Sequence, residues 1–407
     1  MKVLHVALTP VAGSPIRIVN ALNAHTDVSA RLVTLRPNAY GNRTFENDLI
    51  WSKNREETLD LLGSAEIIHL HQYFDLANNA FGIDFCEYQK EGIILIRQYH
   101  SVPWHGGWPM KKVLAEPIHK LVIAQYPERY YPSARVIPNL VPINHPLYTP
   151  LVRPPSRSQN VRVFFSPSTS VSAWDDRWAT KGAPETIRML KRIKKQFPDK
   201  VDLVVIKDCP HDLCMEERRS CDIVIDELVT GSFHLASLES LAQGLPTLAY
   251  LDNRILHNLR SITGCNWIPW INTHLEEAER YLIELIRNRD YRIDVGKKSR
   301  EWMETFYSDT RLVDLFVDTY HALRSNPGLK FKLRFDERNP ESIWAVRGEA
   351  DSLWQEKFQR LGPPLCVVFM KRFCRKKKQL LRKVIEKLYK IFCRYSFLRF
   401  HNSCNTR

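Results

Sequence analysis

The chain has 407 residues, 59 Lys and Arg against 45 Asp and Glu, a net charge of +14 and 44 % hydrophobic content. That content excludes a disordered chain and is enough for two hydrophobic cores, while no apolar run reaches the roughly 20 residues that span a bilayer. Nine cysteines without a paired spacing indicate a reduced compartment, and the first residues lack the pattern of a secretory signal.

Residues 1–8 read as a buried parallel strand, Thr9 to Pro15 as a glycine turn, and Ile16, Ile18, Val19 and Leu22 as the apolar side of a helix. Pro15 suits the first helical turn, so the amides near Gly13 and Ser14 are expected to face a ligand cleft. Further strands are predicted at 31–35, 66–70, 92–98 and 135–137. His69 and His71 are expected on opposite faces of their strand, which argues against a shared metal. The region 1–145 thus forms one α/β unit, and the Pro-rich stretch 146–160 a linker.

A second α/β unit is predicted over 161–309. Its strands are expected at 161–166, 201–207, 222–227, 246–251 and 266–271, with a helix near 185–197. Cys209, His211, Cys214 and Cys221 match no common zinc spacing, and their segment reads as a strand–loop–strand connection. The alternation predicts doubly wound parallel sheets that take ligands outside the carboxyl ends of their strands. Residues 221–251 are the most informative: an apolar strand, a Gly231-Ser-Phe turn, a short helix carrying Glu239, Gly244-Leu-Pro246 and a second strand. A strand that ends in small residues and feeds a helix aims backbone N–H groups at one point, where a diphosphate can settle. Glu239, one turn on, can accept from vicinal ribose hydroxyls.

The stretch resembles the donor-nucleotide signature of the large retaining family 4 of GT-B glycosyltransferases, E-G-F-G-L-x-x-x-E-A-x-A-x-G-x-P. Phe233, Leu235, Glu239, Ala242, Gly244 and Pro246 match it; Gly231 stands at the first glutamate and His234 at the small residue after Phe233. The resemblance implies two Rossmann-like domains facing a cleft, with a helix over 310–325 crossing back to the first domain. It implies that Glu239 holds the nucleotide ribose and that Lys181, with Arg177 four positions ahead, reaches the diphosphate. Gly231, Phe233, His234, Leu235 and the helix start near Ser237 then surround the donor, with Ser166 and Ser168 as hydroxyl partners. Ile96-Arg-Gln-Tyr-His100-Ser resembles the strand ending that places a histidine beside the donor sugar, with His71 the likelier cleft residue of Ile-His-Leu-His. Val136-Ile-Pro-Asn139 is similar to the element closing the first domain, with Leu140 in place of its glycine. The implied reaction moves a sugar from a nucleotide sugar to an acceptor hydroxyl, with retention and without a cofactor or catalytic metal.

Between Lys371 and Arg399 lie twelve Lys or Arg and a single acid, Glu386, so eleven of the fourteen net charges sit there. Leu380, Leu381, Val384, Ile385, Leu388, Ile391 and Phe392 recur at helical spacing among them. This predicts a basic amphipathic tail over 365–407 that lies in an anionic membrane surface through residues 365–400, with a glycan or glycolipid acceptor and no nucleic-acid partner. The consistent location is the cytoplasmic face of a membrane. Residues 326–364 carry no assignable pattern. A sugar-nucleotide epimerase or phosphorylase of the same fold, a non-catalytic membrane adaptor and a nucleic-acid-binding protein remain as alternatives.

Overall fold

The computed structural model describes residues 1–331 except 39–41, 103–106, 109–111, 113–114, 132, 152–159, 168–169 and 175–179. The predicted tail, most of the unassigned stretch and much of the linker lie outside the described residues.

Two parallel sheets organise the chain. The first contains β1 (Lys2–Ala7), β2 (Ser29–Thr34), β3 (Leu49–Ile50), β4 (Ile67–His71), β5 (Ile94–Tyr99), β6 (His119–Ile123) and β7 (Arg135–Ile137) in the order β3-β2-β1-β4-β5-β6-β7. The second contains β8 (Val161–Phe165), β9 (Val201–Val205), β10 (Ile223–Glu227), β11 (Thr247–Ala249) and β12 (Ile271–Asn272) in the order β12-β11-β10-β8-β9. Each order reverses once, between β1 and β4 and between β8 and β10. Crevices open at such reversals because the crossover helices leave on opposite faces.

The strands form where β-branched and aromatic residues are buried on both faces. In the first sheet Leu4, Val6, Ile68 and Leu70 fill one face, and Val3, Ala7, Ile67 and Ile96 the other. Helix α1 (Ser14–His25) packs beside β2, followed by α2 (Arg55–Ser64) and α3 (Phe85–Lys90). The second sheet carries α4 (Ala183–Gln196), α5 (His211–Arg219), α6 (Leu235–Ala242), α7 (Asn253–Thr263) and α8 (Ala278–Arg287). Then come α9 (Arg289–Phe306), α10 (Asp309–Leu312) and α11 (Asp314–Ser325). The segment expected as a strand–loop–strand connection therefore holds α5. Helix α11 lies on the first sheet, where the Tyr320 hydroxyl bonds His69 of β4 at 2.8 Å.

All described residues belong to one compact unit. One apolar cluster runs from Val3, Ile18 and Leu22 through Tyr148 to Leu238, Trp302 and Phe316, joining both sheets. Polar ties reinforce it: Arg300 Nη1 donates to the carbonyls of Ile143, Tyr148 and Ala242 at 3.0, 3.1 and 2.8 Å. Helix α9 meets the Gly244 turn at Gly296, where any Cβ would run into the Gly244 carbonyl oxygen. Gly296→Ala is therefore expected to cost about 1–3 kcal/mol by overpacking, read as a lower urea midpoint at unchanged slope.

Candidate functional site

The carboxyl ends of β8 and β10 carry the first half of the site. Gly182 starts α4 in a left-handed conformation (φ 59°), and a Cβ there would press Val229 Cγ2 at 2.7 Å, so this turn requires glycine. It presents Lys181, whose Nζ donates to Asp226 Oδ1 at 2.7 Å. Lys181 is 5 % exposed and Asp226 is fully enclosed. Burial alone would raise Asp226, but the Lys181 ammonium and His234 outweigh it and hold the carboxyl well below the usual range. Lys181, expected to reach a diphosphate, is paired here with a carboxylate, because an ammonium at this depth needs a counter-charge.

The turn after β10 is satisfied from within. Glu227 accepts from Thr230 N at 2.8 Å, Thr230 Oγ1 at 2.7 Å and Ser232 N at 3.1 Å, while Asp226 Oδ2 accepts from His234 N at 2.6 Å. Several of the amides expected to face an anion are thus spent on these acids; among the described residues, those of Leu235 and Ala236 at the start of α6 stay open. Gly231 has φ 77°, and a Cβ there would meet the Asp252 side chain at 3.0 Å. Phe233 and Ser237 are corrected from donor contacts to core groups: Phe233 packs on Trp270, and Ser237 Oγ accepts from Trp270 Nε1 at 2.7 Å. Leu235 is partly buried beside that core and His234 stands at its rim. Ser166 follows β8, half-buried. Ser168 and Arg177 lie outside the described residues.

Glu239 is also buried, 4 % exposed. Its Oε1 accepts from Arg17 Nη2 at 2.6 Å and from His211 Nε2 at 3.0 Å, and its Oε2 from Arg218 Nη2 at 2.7 Å. Burial raises this carboxyl, yet Arg218, His211 and Arg17 together hold it well below its ordinary value. Both oxygens expected to hold a ribose are occupied by cations from α1 and α5. Arg17 was legible as an arginine inside the apolar stripe Ile16, Ile18, Val19; Arg218, in a run of charged residues, gave no signal. Arg17 also stacks over Tyr148, 5.3 Å from the ring centre. Beyond Arg17 and His211 opens a cavity of about 530 Å³ lined by Gly13, Thr44, Phe45, Tyr148 and Asp309 among others.

The ends of β1, β4 and β5 form the opposite half. Gly13 is left-handed (φ 75°), as are Val11 and Ala12 before it. The Gly13 amide donates to Pro10 O at 2.8 Å and the Ser14 amide to Val11 O, so both close a 3₁₀ turn rather than face a cleft. Ser14 Oγ donates to Asn139 Oδ1 at 2.6 Å, which anchors the Ile-Pro-Asn element. His69 and His71 share one face of β4, correcting the expected opposite placement: residues two apart in a strand point the same way. Their rings stack 4.6 Å apart, and His5, the register partner of His69, joins them. Nitrogens of the three lie within 4.8 Å of one another. His100 follows β5 and its Nε2 bonds His71 Nδ1 at 2.9 Å. Arg129 and Arg254 pair with Asp252 and Glu128 across the two sheets, at 3.1 and 2.6 Å.

No family model matches this sequence, and no curated protein does. Solved structures do match. An α-glucosyltransferase bound to UDP and a DNA containing an HMU base aligns at 10 % identity with a TM-score of 0.55, over 79 % of this chain and 99 % of that one. An α-glucosyltransferase with UDP-glucose and DNA containing an abasic site aligns at 13 % identity and 0.52, again over 79 % and 99 %. The fold is GT-B. Its two parallel sheets with one order reversal each agree with the α/β class expected from the sequence. Among the described residues no helix is long and apolar enough to cross a membrane.

The Glu239 cluster has a pH signature. A folded carboxyl held below its ordinary 4.5 contributes stability that is complete above that value and is lost as pH falls through the folded value. Wild-type urea midpoints are expected to fall more steeply below pH 4.5 than those of Glu239→Gln. Arg218→Ala, which strips one partner from a buried charge, is expected to cost about 3–5 kcal/mol at pH 7 by the same measurement.

Proposed function

We propose that this chain is a glycosyltransferase that moves a sugar from a nucleotide-sugar donor to an acceptor hydroxyl. The observation that supports it best is the convergence, in a GT-B fold, of Lys181, the open amides at the start of α6 and Glu239 at the β8/β10 reversal. On this reading the diphosphate sits against Lys181 and the amides of Leu235 and Ala236. Arg177 is a further candidate for the same charge. Glu239 takes the ribose hydroxyls, and the Arg17 and His211 bonds to Oε1 yield to them. His100 stands beside the sugar.

The bond from the anomeric carbon to the diphosphate oxygen breaks, and the acceptor oxygen bonds to that carbon. The acceptor proton passes to the departing phosphate. The protein stabilises the diphosphate charge and aligns two substrates, which needs no cofactor. We assign the family 4 type with retention from the Glu239 signature. A glycan or glycolipid acceptor at an anionic membrane surface is the reading of the basic stretch 365–400. A nucleic-acid acceptor is the second reading: the α-glucosyltransferase structures hold DNA as well as UDP or UDP-glucose, and the chain carries +14.

The test is a thermal-shift panel of UDP, GDP, ADP and CMP with their sugar conjugates, UDP first. A nucleotide at about 100 times its dissociation constant adds roughly 2.7 kcal/mol. The shift is expected in the wild type and absent in Lys181→Ala and Glu239→Ala, each measured against its own melting point. No shift by any nucleotide would refute the donor site. With a donor in hand, transfer to lipid extract or to DNA at two salt concentrations separates the acceptor readings.

A further inference from the structure

The turn that precedes α6 is supplied with an acid from the neighbouring strand. In the signature that residues 221–251 resemble, the first glutamate is replaced here by Gly231. A Cβ at Gly231 would lie 3.0 Å from Asp252 Oδ2, 3.1 Å from Asp252 Cβ and 3.2 Å from Asp252 Cγ. A side chain at 231 and the Asp252 carboxylate thus compete for one volume, and in this chain the carboxylate fills it. Asp252 comes three residues after β11, the strand beside β10. Its amide donates to Gly231 O at 3.1 Å, which pins the two turns together.

This carboxylate is held from both sides. Oδ1 accepts from Ile255 N at 3.0 Å and caps α7. Oδ2 accepts from Arg129 Nη2 at 3.1 Å, and Arg129 Nη1 donates to Thr230 O at 3.3 Å, so one guanidinium braces acid and turn together. The Asp252 side chain is 30 % exposed and that of Arg129 only 8 %, so an entering ligand meets the carboxylate first. An ionised carboxylate offers about four acceptor sites, and these bonds use two of them. Glu128 and Arg254 nearby pair with each other and leave the local charge balance unchanged.

The argument for a ligand rests on the transferase reading above. A nucleotide sugar carries ribose and sugar at opposite ends of its diphosphate. With the ribose at Glu239, one turn into α6, and the diphosphate at the amides of Leu235 and Ala236, the sugar falls on the side of the turn 230–232. We propose that Asp252, held by Arg129, is a specificity-determining residue that reads the hydroxyls of the donor sugar in place of a glutamate at 231. A carboxylate accepts from sugar hydroxyls or an acetamido N–H and repels a second carboxylate, so it selects neutral sugars over uronic acids.

Calorimetry on the full chain tests this. The nucleoside diphosphate that stabilises the protein, UDP first, is compared with its glucose, galactose, N-acetylglucosamine and glucuronate conjugates. In the wild type at least one neutral conjugate is expected to bind about ten-fold more tightly than the glucuronate. Asp252→Asn keeps Oδ1 for the Ile255 cap and replaces Oδ2 with an NH₂ that cannot accept. It also leaves Arg129 without a counter-charge. The preferred neutral conjugate is then expected to lose about ten-fold while the glucuronate gains, with the unconjugated diphosphate unmoved. Adding Arg129→Gln is expected to cancel the glucuronate gain. Damage to the fold would weaken all these ligands together and produces no gain. A wild-type preference for glucuronate, or an unchanged order in Asp252→Asn, would overturn the proposal and leave the donor site standing. If no nucleoside diphosphate binds, the donor site falls and this inference falls with it.

Discussion

A carboxylate taken out of water has to be surrounded by positive charge and hydrogen-bond donors, and the Glu239 side chain draws them from two other helices. Arg17 comes from α1 beside the first sheet, His211 and Arg218 from α5, and Glu239 itself from α6. Such a cluster contributes little net stability when complete, since desolvation offsets attraction, yet it is expensive to break. It therefore acts as a constraint on position. The spacing of α1, α5 and α6 is set where charge must be neutralised, and the apolar cluster from Val3 to Phe316 closes around it. On the proposed reading a ribose and Arg17 compete for the same oxygens, so donor binding and the tie between α1 and α6 are thermodynamically linked.

The same requirement shapes the turn after β10. Asp226 and Glu227 sit side by side at the end of a strand buried on both faces, and each is satisfied differently. Asp226 stays ionised against Lys181, whereas Glu227, raised by burial, is satisfied by the amides and hydroxyl of its own turn. Backbone donors that look available to an anion in a strand–turn–helix pattern are thus partly consumed by acids a few residues before the glycine. The Gly13 turn behaves likewise, closing on Pro10 and Val11. On the proposed reading, anion binding then concentrates on what is left at the start of α6 and on Lys181.

The histidine cluster shows how sheet parity converts spacing into chemistry. Residues 69 and 71 share a face because they are two apart, and residue 5 joins them because β1 and β4 are in parallel register with His5 opposite His69. Helix α11 then supplies Tyr320 from more than two hundred residues away. The parity is readable from the sequence; the register and the arrival of Tyr320 are not.

Much of the fold was legible because both sheets are buried on two faces, which leaves long β-branched runs between small-residue turns. Strand β1 and the run 223–227 stand out for that reason, as does Glu239 in its signature. Strand β6 was missed because His119 and Lys120 interrupt its apolar run, and α5 because its apolar residues make no stripe, with Leu213 exposed and Met215 buried. The sequence by itself determined the parallel α/β class, the glycine turns and the candidacy of Lys181 and Glu239 at the β8/β10 reversal, since these depend on local pattern and steric need. Only the tertiary structure decided which of those charges are free, because pairing in a dry interior depends on groups such as Arg17, Arg218 and Tyr320 that approach from distant helices.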